Sequence, residues 1–291
     1  MTRYNFQPSS ISNAPLLLQY HSNTAFEEDI GKGDLTSAAV IPPKTYFTGI
    51  MSARDEMVCA GLPIAGRVFE LYSKKITWIP RANDGDKVAT GSILANIEGP
   101  AIDLLTAERT AINILQHLSG IATLTRRYAD QISDLNTILL DTRKTIPVYR
   151  HLAKYATRMG GATNHRMSLD DGVLIKDNHI AVSGGIKEAI QRAKARGLEN
   201  VEVECDTLEQ VKEAIDAGAD MILFDNMSPE IMKEGIAIVN GRAPTEASGD
   251  INLETIREKA KTGVTHLSVG RLTHSAPAVN IGLDWIARLD N

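Results

Sequence analysis

From about residue 136 onward the chain presents six short apolar runs, NTILLD, VLIKDN, NVEVECD, MILFDN, PTEAS and HLSVG. Amphipathic stretches lie between several of them: GIKEAIQRAKARG, LEQVKEAIDAG, SPEIMKEGIAIVNG and LETIREKAKTG. Each stretch opens near a residue that caps or starts a helix and closes on Gly, a common helix stop. Strands alternating with helices of this length pair in parallel through right-handed crossovers. Six such strands predict a (β/α) barrel, incomplete beside the eight that close one. No GxGxxG opens a helix, which disfavours a dinucleotide-binding sheet.

The first hundred residues follow another pattern. Strand-like pieces, TGIMSA and SILANIEG, surround one helical segment, GLPIAGRVFELYSKK, with Gly-Asp turns in GKGDL and NDGDKV. This predicts a separate α+β unit. GDKVATGSILANIEG is similar to the hairpins of biotinyl and lipoyl carriers, but no lysine follows at a hairpin tip, so a structural hairpin is expected. A long helix, PAIDLLTAERTAINILQHLSG, leads into the barrel with Pro100 near its first turn. The expected division is residues 1–115, with the tail of about 276–291, in the first unit and 116–275 in the second.

Composition narrows the class. MTRYNFQPSS has no apolar core of a signal sequence, and no run reaches the length that spans a bilayer. A cytoplasmic protein is the expectation. Cys59 and Cys205 form neither a disulfide framework nor a zinc pattern. A net charge of -5 argues against nucleic acid as a partner. Its distribution is uneven: residues 141–180 hold seven Lys or Arg against four Asp, a local +3 that leaves -8 elsewhere. A basic island in an acidic chain suggests a small anionic ligand focused into one site. A solvated helix face around Arg150, Lys154 and Arg158 accounts for part of that island.

Barrel enzymes gather their functional side chains at the C-terminal strand ends. Here the successive runs end in Asp141, Arg143 and Lys144; in Lys176, Asp177 and Asn178; in Glu204; in Asp225 and Asn226; in Glu246, Ser248 and Gly249; and in Gly270. Arg143, Arg166 and Lys176, with His165 nearby, can clamp carboxylates or phosphates. Glu204 and Asp225 on neighbouring strands suit Mg2+, which uses one or two carboxylates plus substrate phosphate oxygens. Backbone N–H groups of Ser248, Gly249 and Gly270 can cradle a phosphate. The alternatives stay open: Glu204 and Lys176 as an internal ion pair, His165 and His179 as loop histidines. Arg109 lies between Leu105 and Ile112 on an apolar helical face, where it either pairs with Glu108 or Asp103 or enters the site of another subunit.

Nine pieces in order carry a specific resemblance: EDIGKGDLTS (28–37), LLTAERTAINILQHLSGIAT (104–123), DTRKTIP (141–147), KYATRMGGATNHR (154–166), LIKDNHI (174–180), VEVE (201–204), DAGADMILFDNM (216–227), EASGDI (246–251) and VGRLTHS (269–275). Together the chain resembles nicotinate-nucleotide pyrophosphorylase (carboxylating), the quinolinate phosphoribosyltransferase family. The resemblance implies an N-terminal open-faced α/β sandwich plus an incomplete (β/α) barrel, used as a homodimer. It implies transfer of phosphoribosyl from PRPP to quinolinate with decarboxylation, giving nicotinate mononucleotide, CO2 and pyrophosphate for NAD biosynthesis. By the same resemblance Arg143, His165, Arg166 and Lys176, with Arg109 of the other subunit, hold the quinolinate carboxylates. Lys144 contacts PRPP, Glu204 and Asp225 serve its Mg2+ and ribose, and Ser248, Gly249 and Gly270 surround the 5-phosphate. Asp177, Asn178 and His179 are expected to shape a loop.

The family pattern TPGLR is IPVYR here (Val148, Tyr149), GGG is GGA (Ala162), and Ser168 stands for a Gly. These departures spare the charged positions. A molybdenum-transport-linked branch of the superfamily also carries GGA but lacks the AERT and LIKDNH elements present here. Two other readings remain: a barrel with Lys176 or Lys144 as a Schiff-base lysine, and a non-catalytic sensor of a pyridine dicarboxylate.

Overall fold

A computed structural model describes residues 23–286, so the MTRYNFQPSS stretch and the last five residues lie outside the described residues. The described residues divide into two compact units, one built from residues 125–275, the other from 23–124 and 276–286. A 31-residue helix, Ala101–Gln131, runs unbroken through the expected 115/116 boundary, and the units divide later, at Leu124/Thr125.

In the N-terminal unit a helix at 23–30 (α1) and α2 (Leu35–Val40) precede β1 (Tyr46–Ala53), β2 (Met57–Val58), α3 (Leu62–Tyr72), β3 (Thr77–Pro80), β4 (Lys87–Val88), β5 (Ile93–Pro100) and α4, the long helix. Asp34 caps α2 by accepting the Ser37 N–H at 2.9 Å. The antiparallel sheet runs β12-β1-β5-β3, its edge strand β12 (Ile281–Trp285) supplied by the chain's far end. Met51, Ala53, Ala95 and Ile97 share one buried face through the β1/β5 register. Leu62, Ala65, Val68 and Phe69 of α3 and Leu104, Ala107, Ala111, Ile112 and Leu115 of α4 join the same apolar cluster. Spacings of three and four along each helix put those residues on one stripe, and burying it against the sheet is what holds the layer together. This is the open-faced α/β sandwich.

The C-terminal unit is a six-stranded parallel sheet of β6 (Ile138–Leu140), β7 (Val173–Ile175), β8 (Val201–Cys205), β9 (Met221–Asp225), β10 (Thr245–Ser248) and β11 (His266–Ser268), in the order β6-β11-β10-β9-β8-β7. β6 and β7 are the two ends of that order and do not pair as strands, so the barrel is incomplete. Its helices are α5 (Arg150–Gly160), α6 (Asp177–Ser183), α7 (Ile186–Ala195), α8 (Leu208–Asp216), α9 (Pro229–Val239), α10 (Ile256–Ala260) and α11 (Arg271–His274). Thr207 and Ser228 cap α8 and α9 with their hydroxyls, and Pro229 occupies a first-turn position where its missing N–H costs nothing. Apolar stripes of the helices, such as Val211, Ala214 and Ile215, are buried.

Register decides which side chains share a layer. Glu204 lies beside Leu223, Leu223 beside Glu246, Glu246 beside His266 and His266 beside Ile138. Residues side by side in a parallel ladder project to the same face. The next layer along the strands pairs Asp225 with Ser248, and Ser268 with Leu140. Thus β8 sends Glu202 and Glu204 to one face, and Val201, Val203 and Cys205, all buried, to the other.

Four expectations change here. Asp177, Asn178 and His179 form the first turn of α6 rather than a loop, and the Lys176 N–H donates to His179 Nδ1 at 3.0 Å. Lys154 is fully buried, not on a solvated face. Asp141 is also fully buried and pairs with Lys154 on α5. Glu246 lies inside β10 with no exposure, two residues before the strand's end.

Candidate active site

Three groups of charges occupy the barrel's functional end. At the end of β7, Lys176 Nζ contacts Glu204 Oε2 at the adjacent position on β8. The internal ion pair allowed by the sequence therefore forms, with the lysine still 44% exposed and the glutamate largely buried. Asp225, one layer on, accepts from its neighbour Asn226 Nδ2 at 2.8 Å.

Deeper lies His165, whose Nε2 is 3.4 Å from both Glu202 Oε2 and Glu246 Oε2. Burial opposes charge on this imidazole, but the hydrogen bonds and charges of the two glutamates outweigh it and push His165 up to about 10. Burial first, then the Glu246 charge, push Glu202 up to about 7. Burial raises Glu246 too, but His165 outweighs it and holds that carboxyl below its ordinary value. The Nε2 of His165 thus lies between two carboxylates, while Nδ1 accepts the Arg166 N–H at 2.8 Å, a bond that charging the ring gives up. The ligating atoms of the three residues lie within 4.8 Å of one another. Sequence reasoning missed Glu202 and placed Glu246 at the mouth; the period-two VEVEC pattern was the available signal.

The loop bearing His165 and Arg166 is fixed from below by a buried network. Lys154 Nζ donates to Asp141 Oδ1 at 2.6 Å, to the His165 carbonyl at 2.6 Å and to the Arg166 carbonyl at 3.0 Å. Asp141 also accepts from Thr157 Oγ1, Asn164 Nδ2 and the His165 N–H at 2.8, 2.6 and 2.9 Å. Arg166, itself buried, donates to the Gly172 carbonyl at 2.9 Å. Its pKa is lowered by burial and then by the Arg143 charge, against the pull of Glu202 and Asp171. The Arg143 charge thus opposes that of Arg166, a juxtaposition that suits an anion. Among the described residues the Arg143 Nε is buried with no hydrogen-bond partner.

The third group is an open cavity of about 300 Å3 lined by Lys144, Ser248, Gly249, Asn252, Gly270 and His274, among others. Gly249 has φ +85°, and a Cβ there would meet Asn226 Oδ1 at 2.0 Å. Only glycine fits. A Cβ on Gly270 would press to 2.9 Å from the Lys144 side chain. Asp250 and Asn226 also take positive φ, +47° and +54°.

Arg109 is exposed on α4, not buried on an apolar face, and Asp103 accepts from Ser73 Oγ at 2.6 Å. The two departures on tight backbone differ. Val148 adopts φ +67°, a conformation that favours glycine, whereas at the GGA segment Gly161 carries the positive φ of +100° and spares Ala162.

Comparison with known proteins identifies the family. Residues 34–119 match the family described as quinolinate phosphoribosyl transferase, N-terminal domain, and residues 121–284 match its C-terminal domain. A Bacillus subtilis relative is 43% identical over 264 residues, 90% of this chain and 91% of its own. The nicotinate-nucleotide pyrophosphorylase (carboxylating) of Mycobacterium leprae is 39% identical over 269 residues, 89% of this chain and 94% of its own. The solved structure of the nicotinate-nucleotide pyrophosphorylase of Francisella tularensis superposes with a TM-score of 0.89 at 37% identity, covering 93% of this chain and 96% of that one. Sequence, architecture and the sorting of charge therefore converge, and the chain belongs to the quinolinate phosphoribosyl transferase family.

Proposed function

We propose that this protein transfers the phosphoribosyl group of PRPP to the ring nitrogen of quinolinate and, with loss of the adjacent carboxylate as CO2, forms nicotinate mononucleotide and pyrophosphate, a step of NAD biosynthesis. Family membership supports the reaction. The observation that carries it to particular residues is the Arg143 Nε, buried without a hydrogen-bond partner among the described residues and near enough to Arg166 to oppose its charge, a cationic pair to which a carboxylate is the matching ligand. In this reading Arg143, His165, Arg166 and Lys176 orient the two carboxylates, Arg166 and His165 from a backbone already fixed by Lys154. Ser248, Gly249 and Gly270 hold the 5-phosphate, and Lys144 faces the phosphates from the same cavity. Glu204 and Asp225 favour the positive charge that develops on ribose as pyrophosphate departs. The ribosylated pyridinium ring then stabilises the electron pair left on the ring carbon as CO2 departs, and a proton from water completes nicotinate mononucleotide.

The donors fit Mg2+: Glu204 and Asp225 are hard oxygen ligands on neighbouring strands, with Lys176 on one oxygen of Glu204 and Asn226 on one oxygen of Asp225. The ion, when bound, supplies charge neutralisation of the pyrophosphate. The reading includes a homodimer, in which the exposed Arg109 reaches the neighbouring subunit's quinolinate site, and a cytoplasmic location, where the buried Cys59 and Cys205 stay reduced. No described helix is long and apolar enough to cross a membrane. The decisive assay is release of labelled CO2 from carboxyl-labelled quinolinate. Release is expected only with both PRPP and Mg2+; the absence of PRPP-dependent release from active, folded protein sinks the proposal.

A further inference from the structure

Lys259 on α10 is 7% exposed, and its ammonium donates at 2.9 Å to the carbonyl of Gly249. Among the described residues no carboxylate forms an ion pair with it. Burial opposes charge on this ammonium, and the charges of Asp250 and Asp225 favour it. Holding a carbonyl needs only a neutral donor, and the place gives the charge a further use. Gly249 and Asp250 line the cavity with Lys144, Ser248 and Gly270. In a trans peptide the carbonyl and the following N–H point in opposite directions. Turning the Gly249 carbonyl onto Lys259 therefore turns the Asp250 N–H away from Lys259, and that N–H has no acceptor among the described residues. The left-handed φ of Gly249 and Asp250, braced by Asn226, gives this segment its curvature.

We propose that Lys259 is a positioning residue of the phosphate loop, fixing the 249–250 peptide with its N–H free for a phosphate monoester and placing a positive charge behind it. This rests on the reading that the cavity takes the 5-phosphate of PRPP. Lys259 does not touch the substrate, so its effect must be specific to the phosphate ligand.

Calorimetric titration with ribose 5-phosphate and, separately, with quinolinate tests it in the intact protein. Lys259→Met, which removes donor and charge, is expected to weaken ribose 5-phosphate at least tenfold and leave quinolinate within twofold. Lys259→Gln, which keeps a donor without charge, is the second variant should the first fold poorly, and is expected to lose at least threefold for ribose 5-phosphate alone. The same split is expected between KM for PRPP and KM for quinolinate. If wild-type protein binds ribose 5-phosphate and both variants bind it within twofold, Lys259 only fills space; the proposal falls while the phosphate reading stands. A parallel loss of quinolinate affinity overturns it as general damage. If wild type does not bind ribose 5-phosphate, the phosphate reading falls and the proposal with it.

Discussion

Replacing Lys154 with Met tests whether the loop carrying the substrate clamp is held by a buried charge. The ammonium makes three short contacts, to Asp141 Oδ1 and to the carbonyls of His165 and Arg166, with no solvent exposure. Burial lowers its pKa and the Asp141 charge and hydrogen bond raise it again, so carboxylate and ammonium depend on each other. Breaking such a pair from one side costs about 3–5 kcal/mol. Asp141 keeps its donors from Thr157, Asn164 and His165, while two carbonyls lose theirs, so about 4 kcal/mol is the working figure for Lys154→Met. Fluorescence is the wrong probe, because Trp78 and Trp285 both belong to the other unit. Amide exchange across residues 150–166 reads the effect directly, and 4 kcal/mol corresponds to roughly a thousandfold loss of protection. The double variant Asp141→Asn/Lys154→Met, which leaves no orphan carboxylate, should recover about 1–2 kcal/mol. Protection within tenfold of wild type in Lys154→Met would refute the reasoning.

The remaining predictions concern charge, backbone and assembly. His165 faces Glu202 on β8, Glu246 on β10 and His266 on β11; with its pKa raised from 6.5 to about 10, its contribution to stability is complete below pH 6.5 and is lost as pH rises toward 10. Ring NMR should find it charged at pH 8 in wild type and lowered by Glu246→Gln; titration near 6.5 in wild type would remove the idea. Lys176→Ala and Arg166→Ala should each lower kcat/KM for quinolinate by about 2–4 kcal/mol, roughly 30- to 1000-fold, and values within a few-fold of wild type would undo the site assignment. Val148→Gly should stabilise by about 0.5–1 kcal/mol, the left-handed cost relieved less the entropy of glycine, so a lower Tm would contradict the strain assigned to φ +67°. Mixing inactive Arg109→Ala and Lys176→Ala proteins should restore partial activity through hybrid sites; no recovery despite proven subunit exchange counts against a shared site.

Much of this was legible in the chain. The six barrel strands fall within the six apolar runs, and the helices α7, α8 and α9 within three of the amphipathic stretches, because periods of two and 3.6 directly record which side of an element is buried. Caps and glycine stops set their ends. Lys176 and Glu204 were visible as charges at strand ends because such residues have few other places to go. LETIREKAKTG was only partly informative: just Ile256–Ala260 is helical.

Tertiary structure alone decided what each charge does. VEVEC alternates, but alternation cannot say which face meets ligand and which meets helices; strand register did that, setting Glu204 against Lys176 and the buried Glu202 and Glu246 around His165. Lys154 reads as an ordinary helix-surface cation and nothing in the sequence singles out Lys259; only the packing of α5 and α10 buried them beside the two loops that present Arg166 and Gly249. Sequence fixes propensity and period, which are local. The partner of such a charge lies from 10 residues away, for Lys259 and Gly249, to 81, for His165 and Glu246, and its energy depends on a distance that exists only once the chain has folded.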